Sequence, residues 1–390
     1  MSARVHILAQ TMGYLEGGGH FWVYLNWAMG LRKSGHAVTW VESIDPKADH
    51  DKVAAQFIQL QKALQPYGFD QDLALLSLRP GDIPPSLSVL ALTPARMRET
   101  DLLVNFRYGL PQEILDQYPR TALIDIDPGL LQHWVHHKQM DFARHDAYFT
   151  TGERIGGPGS KVPDLGLAWH PIRPCVAVDL WPATPSRPDA PFTTVSHWDA
   201  PEYVLSEGGS YYSNSKRSGF LPFLDLPQRV RHPMELALCI SGEGQDAEDR
   251  RLMEAKGWRI QHSHEVAGSP EAYQRYIQRS YGEFSAAKPS CLHFNAAWMS
   301  DRTLCYLASG KPAVVQYTGP SSYLPSRTGD GLWRYETLEE AAAAVEAISA
   351  DYAAQSRKAR ELAEAYFDSR TVAGKVVETA LSVPARAATS

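Results

Sequence analysis

Residues 282–319 read GEFSAAKPSCLHFNAAWMSDRTLCYLASGKPAVVQYTG, and the order of elements in this stretch decides the fold. It reads as strand, turn, helix, tight turn, strand. The apolar run 291–295 predicts a short buried strand. Ser300 stands where a helix N-cap belongs, and Asp301 puts a carboxylate in the first turn. Leu304, Leu307 and Ala308 give the following helix an apolar face. Ser309 and Gly310 end it, Pro312 forbids its continuation, and 313–316 is a second strand. A βαβ unit of this kind leaves the helix N-terminus open at the carboxyl edge of a parallel sheet. Its N–H groups and dipole favour an anion there. Arg302 adds a cation whose planar fork matches phosphate.

Working outward, 4–9 is a first strand, and the loop 10–19 ends in Gly17, Gly18 and Gly19. The spacing of Val23, Trp27 and Leu31 predicts a helix over 21–34, and 37–42 a second strand. This is a Rossmann-like opening. The glycines either let the backbone approach a ligand or merely let the helix pack. They match GxGxxG poorly, so a nicotinamide oxidoreductase is a minor alternative. A helix is expected over 52–64, a loop over 79–94, and buried strands over 101–105, 121–125 and 147–151. Asp125 and Asp127 lie at the carboxyl end of the second of these. Four prolines in 182–191 mark the best domain boundary. Beyond it, strands are expected at 192–195, 235–241 and 258–261, with helices at 246–256 and 270–280. Thr337 and Glu340 form a capping box for a long alanine-rich helix, and Asp368 with Ser369 caps a last one to Leu381.

The central stretch resembles the donor-binding part of GT-B glycosyltransferases. More narrowly, it is similar to a bacterial group with a GEFS…AK…W.SDR…CYLASG.P…Q.TG signature. GGGHFWVYLNWA (17–28), LIDIDPG (123–129), YFTTGERIG (148–156) and FTTVSHWD (192–199) extend the resemblance over nearly the whole chain. It implies an α/β protein of two Rossmann-like domains facing an interdomain cleft. The division expected is an acceptor domain over 1–181, a linker over 182–191 and a donor domain over 192–367. A helix over 368–382 would cross back to the first domain, and 383–390 would form a disordered tail.

The resemblance also implies site residues. Ser300, Asp301, Arg302 and Thr303 stand where a nucleotide diphosphate is held. Lys216 resembles a lysine of the group that reaches it, or is a solvated loop lysine. Thr318 and Gly319 stand where donor sugar hydroxyls sit. Ser285 and Lys288 belong to the block without an assigned role. Retaining members of the commonest kind carry two glutamates, and the matching positions hold Ala297 and Cys305. Asp301 or Glu283 is then left to hold the ribose, and the reading tilts towards inversion. Inversion needs a base. His20 is the candidate, oriented by Asp127 or Asp125; a packing histidine is the plain alternative. His133, His136 and His137 read as a polar surface helix or acceptor rim, not a metal site. His262 and His264 lie in a loop near the expected base, or in solvent.

Composition sets the bounds. With 390 residues, 44% hydrophobic and 21% charged, two ordinary domains are expected. A net charge of −6 gives no basic field for nucleic acid. Four scattered cysteines suit reduced thiols in the cytoplasm, and no run is long enough to span a bilayer. The expectation is a metal-independent glycosyltransferase taking a UDP- or dTDP-sugar as co-substrate, with a small-molecule acceptor and no other cofactor; a homodimer is allowed. Alternatives are an NDP-sugar epimerase or hydrolase on the same scaffold and a non-catalytic sugar-nucleotide-binding subunit.

Overall fold

The computed structural model describes residues 2–79, 81–200, 202–205, 208–324 and 327–385. The chain divides into two compact units. One comprises Met1–Leu15, His20–Ala177 and Ser369–Ser390; the other comprises Glu16–Gly19 and Val178–Asp368.

The first unit is built on a seven-stranded parallel sheet: β1 (Arg4–Ala9), β2 (Ala37–Ile44), β3 (Leu73–Ser77), β4 (Leu102–Asn105), β5 (Thr121–Asp125), β6 (Ala147–Thr150) and β7 (Trp169–Pro171). Its order is β3-β2-β1-β4-β5-β6-β7, so the winding reverses between β1 and β4. The strands LLVN and TALID are buried at every residue, as a sheet covered on both faces demands. Helix His50–Leu64 starts at Asp49, whose side chain accepts from Lys52 N, and buries Val53, Phe57, Leu60 and Leu64. The final helix, Ser369–Ser382, packs on the helix Gly18–Lys33. A Cβ on Gly30 would fall 2.4 Å from Ser369 O, which explains a glycine inside that helix.

The second unit has a six-stranded parallel sheet of β8 (Phe192–His197), β11 (Met234–Cys239), β12 (Arg259–His262), β13 (Gly282–Ser285), β14 (Ala313–Gln316) and β15 (Leu332–Tyr335). A separate antiparallel ribbon pairs β9 (Tyr203–Leu205) with β10 (Tyr211–Ser213). The order β12-β11-β8-β13-β14-β15 reverses between β8 and β13. Phe192, Leu236, Phe284, Val314 and Tyr335 fill its core.

Several expectations need correction. The strand expected at 291–295 is the helix Pro289–Phe294. Pro289 is preorganised for a first helical position, and Asn295 at φ 51° ends the helix in the left-handed region. Three strands, β3, β7 and β15, and the ribbon were not foreseen. The loop over 79–94 holds a 3₁₀ turn, Pro85–Leu90. The long alanine-rich helix is two, Leu338–Ala350 and Tyr352–Tyr366, broken at Asp351. Thr337 accepts from Glu340 N, but the Glu340 carboxylate returns to Glu336 N, so the reciprocal box is not formed. Residues 182–191, mostly exposed, fall within the second unit, which already begins at Val178. The Lys311 ammonium holds Thr184 O at 2.8 Å and Ser186 Oγ at 2.6 Å. Of the expected tail 383–390, residues 386–390 lie outside the described residues.

Gly331 has φ 81°, and a Cβ there would lie 2.2 Å from Ala359 N. Gly35 has φ 95° with nothing within 4 Å of its Cβ position. Gly331→Ala should therefore cost at least ~2 kcal/mol, and Gly35→Ala about 1 kcal/mol, in denaturant unfolding. Equal costs would contradict this packing.

Candidate functional site

In parallel sheets, ligands sit beyond the carboxyl ends of the strands, where the winding reverses. The second unit shows a recess near this edge, beyond the ends of β13 and β14 and beside the helix Asp301–Ala308. Ser285, Ser300, Thr303, Gln316, Thr318 and Gly319 line it. Gln316 Oε1 accepts from Ala287 N at 3.0 Å, and Thr318 Oγ1 donates to Trp298 O at 2.5 Å. Gly319, at φ 131°, lies against the turn that follows helix Pro289–Phe294; a Cβ would fall 2.6 Å from Asn295 O. Ala297 sits at φ 57°, and its N–H is bonded to Thr318 O at 2.9 Å. The interior is narrow, about 20 Å³, room for little beyond a water. Ser300 has extended N-cap backbone, but its hydroxyl does not cap the helix. Asp301, half-buried, starts the first turn.

Two assigned roles change. Arg302 is not a free phosphate fork. Its Nε donates to Glu283 Oε1 at 2.8 Å, Nη1 to Val195 O at 3.0 Å and Nη2 to Ser285 Oγ at 2.5 Å. Glu283 is fully buried, so it is not a ribose ligand; its Oε2 makes no hydrogen bond. Burial disfavours the guanidinium charge, yet the facing Glu283 and neighbouring tyrosines raise the Arg302 pKa overall.

Lys216 is a second cation near the recess. It opens the short helix Lys216–Phe220, and its ammonium donates to Ala286 O at 2.8 Å, 5.8 Å from the Trp298 ring centroid. Ala286 and Trp298 both line the recess. Burial first, then the Arg302 charge, lowers the Lys216 pKa to about 7, although the residue keeps some accessible surface. An ammonium so placed gains from an arriving anion. Lys288 pairs with Glu202 at 2.5 Å. Arg334, on the unforeseen β15, also lines the recess and is buried. The signal for it was the TGDG turn before the short run LWRY.

The first unit has a pocket of about 550 Å³ beyond β1, β2, β4 and β5, within the range of small-molecule sites. His20 and Asp127 both line it. His20 Nε2 meets Gln10 O at 2.6 Å, so a main-chain carbonyl, not a carboxylate, holds the ring. Asp127 is exposed. Asp125 is wholly buried and accepts from Tyr108 OH, Gln132 Nε2 and Thr150 Oγ1. Burial raises its pKa to about 6 against those bonds. Tyr108 and Arg107, missed in the sequence, line the same pocket. Gly18 and Gly19 serve packing within the second unit. A Cβ on Gly18 would lie 2.4 Å from Ser269 O, and one on Gly19 2.7 Å from the Tyr273 ring. Gly17, before them, is half-buried.

His133 is buried, its ring 4.4 Å from that of His137, while His136 and His137 are exposed, so the surface reading fails for His133 alone. His262 and His264 rings lie 5.2 Å apart. Among the described residues no group of three or more His, Cys, Asp or Glu is placed to hold a metal, and no helix is long and apolar enough to cross a membrane.

No protein-family model and no curated protein matches this sequence. Solved structures do. HepE of Anabaena, in complex with UDP-glucose, aligns with a TM-score of 0.54 at 13% identity over 97% of this chain and 99% of its own. An alpha-glucosyltransferase in complex with UDP and a 13-mer DNA aligns with a TM-score of 0.54 at 12% identity, over 97% and 99%. The fold is GT-B: two Rossmann-like α/β domains.

Removing Arg302 strands the Glu283 charge. Arg302→Ala should cost about 3–5 kcal/mol in unfolding, and adding Glu283→Gln should recover part of it. A loss below ~1 kcal/mol would show that the pair is not the anchor of this edge.

Proposed function

We propose that this chain is a glycosyltransferase that moves a hexosyl group from a nucleotide-diphosphate sugar to a small-molecule acceptor, without a metal and with inversion. The observation that carries the reading is the Lys216 ammonium on Ala286 O, in the wall of the recess that Ser300 also lines, at the edge where a GT-B donor half holds its diphosphate. The backbone amides of residues 300–302 and Lys216 meet the charge that develops on the leaving diphosphate. Ser300 and Thr303 add hydroxyls, Asp301 stands nearest for the ribose, and Thr318 and Gly319 border the sugar. The first unit's pocket takes the acceptor, with His20 as base and Asp127 beside it on the wall. Neighbours solved with UDP or UDP-glucose favour uracil over thymine as the base. The net charge of −6 favours a small acceptor over nucleic acid. The bacterial signature group of the central stretch fits the same reading.

The Lys216 pKa sets the sign of a pH test. Its value in the free protein, about 7, lies below the ordinary 10.5, so above pH 7 the free ammonium is largely neutral. A bound diphosphate raises that pKa, so binding takes up a proton. UDP affinity should fall as pH rises above 7, by at most about tenfold per unit, and Lys216→Met should flatten the dependence and weaken binding at pH 7. A pH-independent affinity in the wild type contradicts the assignment. His20→Ala should lower kcat roughly 100-fold or more while leaving UDP-sugar binding in place. Full turnover in that variant removes the base.

A further inference from the structure

The loop between β1 and the helix Gly18–Lys33 is held by a carboxylate that the proposed mechanism has not used. Glu42, on β2 and 2% exposed, pairs in register with Ala9. Its oxygens accept from Thr11 N at 3.0 and 3.1 Å, Met12 N at 3.3 Å, Trp40 Nε1 at 2.9 Å and the Thr11 hydroxyl. A buried carboxylate gathering this many donors fixes the chain at Thr11 and Met12. The residue before them is Gln10, whose carbonyl lies 2.6 Å from His20 Nε2. A carbonyl only accepts, so Nε2 carries the hydrogen, and the lone pair of the neutral ring is on Nδ1. Tyr24 and Tyr14 flank the ring edge-on, at 5.2 and 5.8 Å between centroids.

We infer that His20 takes the acceptor proton at Nδ1, and that Glu42 is the positioning residue that sets this tautomer through the Gln10 carbonyl. The chemistry rests on the proposed glycosyl transfer; the tautomer does not. The acceptor O–H proton passes to Nδ1, and the acceptor oxygen's electron pair forms the bond to the anomeric carbon. The bond from that carbon to the diphosphate oxygen breaks, and its pair leaves with the nucleoside diphosphate. The imidazolium, steadied by Gln10 O, then releases the proton to water.

The test uses the full chain labelled with ¹⁵N-histidine at about pH 8.5, where an ordinary imidazole is neutral. His20 signals are assigned by their loss in His20→Gln. The wild type should show the Nε2–H pattern. In Glu42→Gln, His20 should become a mixture of tautomers. With a UDP-sugar and an acceptor, kcat should fall roughly tenfold or more with the donor KM unchanged, and Glu42→Asp should recover part. Thr11→Val removes one donor and should move both readouts the same way by less; it carries the test if Glu42→Gln does not fold. Nδ1–H in the wild type overturns the inference, as does a tautomer and kcat untouched by either variant. A wild type with the Nε2–H pattern and its Glu42 dependence, yet no sugar transfer, supports the positioning and refutes the transferase reading.

Discussion

The second unit depends on one buried ion pair. Arg302 and Glu283 meet where the winding of the sheet reverses, with side chains 12% and 0% exposed. Bringing both charges out of water is costly, and the cost is offset only because the guanidinium also finds Val195 O and Ser285 Oγ. The result is a rigid tie among β8, β13 and the helix Asp301–Ala308. That tie aims the helix N-terminus past the strand ends. It also places a fixed positive charge near Lys216, which helps keep that ammonium ready to give up its proton until an anion arrives.

The first unit repeats the device with carboxylates. Glu42 gathers the loop after β1, and Asp125 gathers Tyr108, Gln132 and Thr150 around the end of β5. Both acids are raised by burial and held down by the donors they collect. Neither needs to touch a substrate to matter. Each fixes a loop that carries pocket-lining groups, Gln10, whose carbonyl holds the ring of His20, in one case and Tyr108 with Asp127 in the other. The polar groups that shape these edges are therefore spent inside the protein, and the pocket-lining groups are presented by the loops they hold.

The alternation of short apolar runs with amphipathic segments made the two parallel sheets legible, and TALID at 121–125 has the bounds expected. What failed did so for identifiable reasons. The run 291–295 has strand-like residues, but Pro289 and a left-handed Asn295 enclose one helical turn and a half, which short-range apolarity does not distinguish. The strand β15 follows a turn-rich segment and is only four residues long. In the site, spacing located the helix N-terminus at Ser300. It gave no sign that Arg302 would be turned inward, because the partner, Glu283, is nineteen positions away in sequence and meets it only through the fold. The three glycines suggested a ligand, whereas Gly18 is required by the backbone of Ser269.

The most direct measurement is a crystal structure of the full chain with UDP bound. The diphosphate oxygens should lie within hydrogen-bonding distance of the amides of residues 300–302, and Lys216 Nζ should have turned from Ala286 O towards them. UDP seated away from these strand ends, with Lys216 still on its carbonyl, would contradict a donor site on this edge.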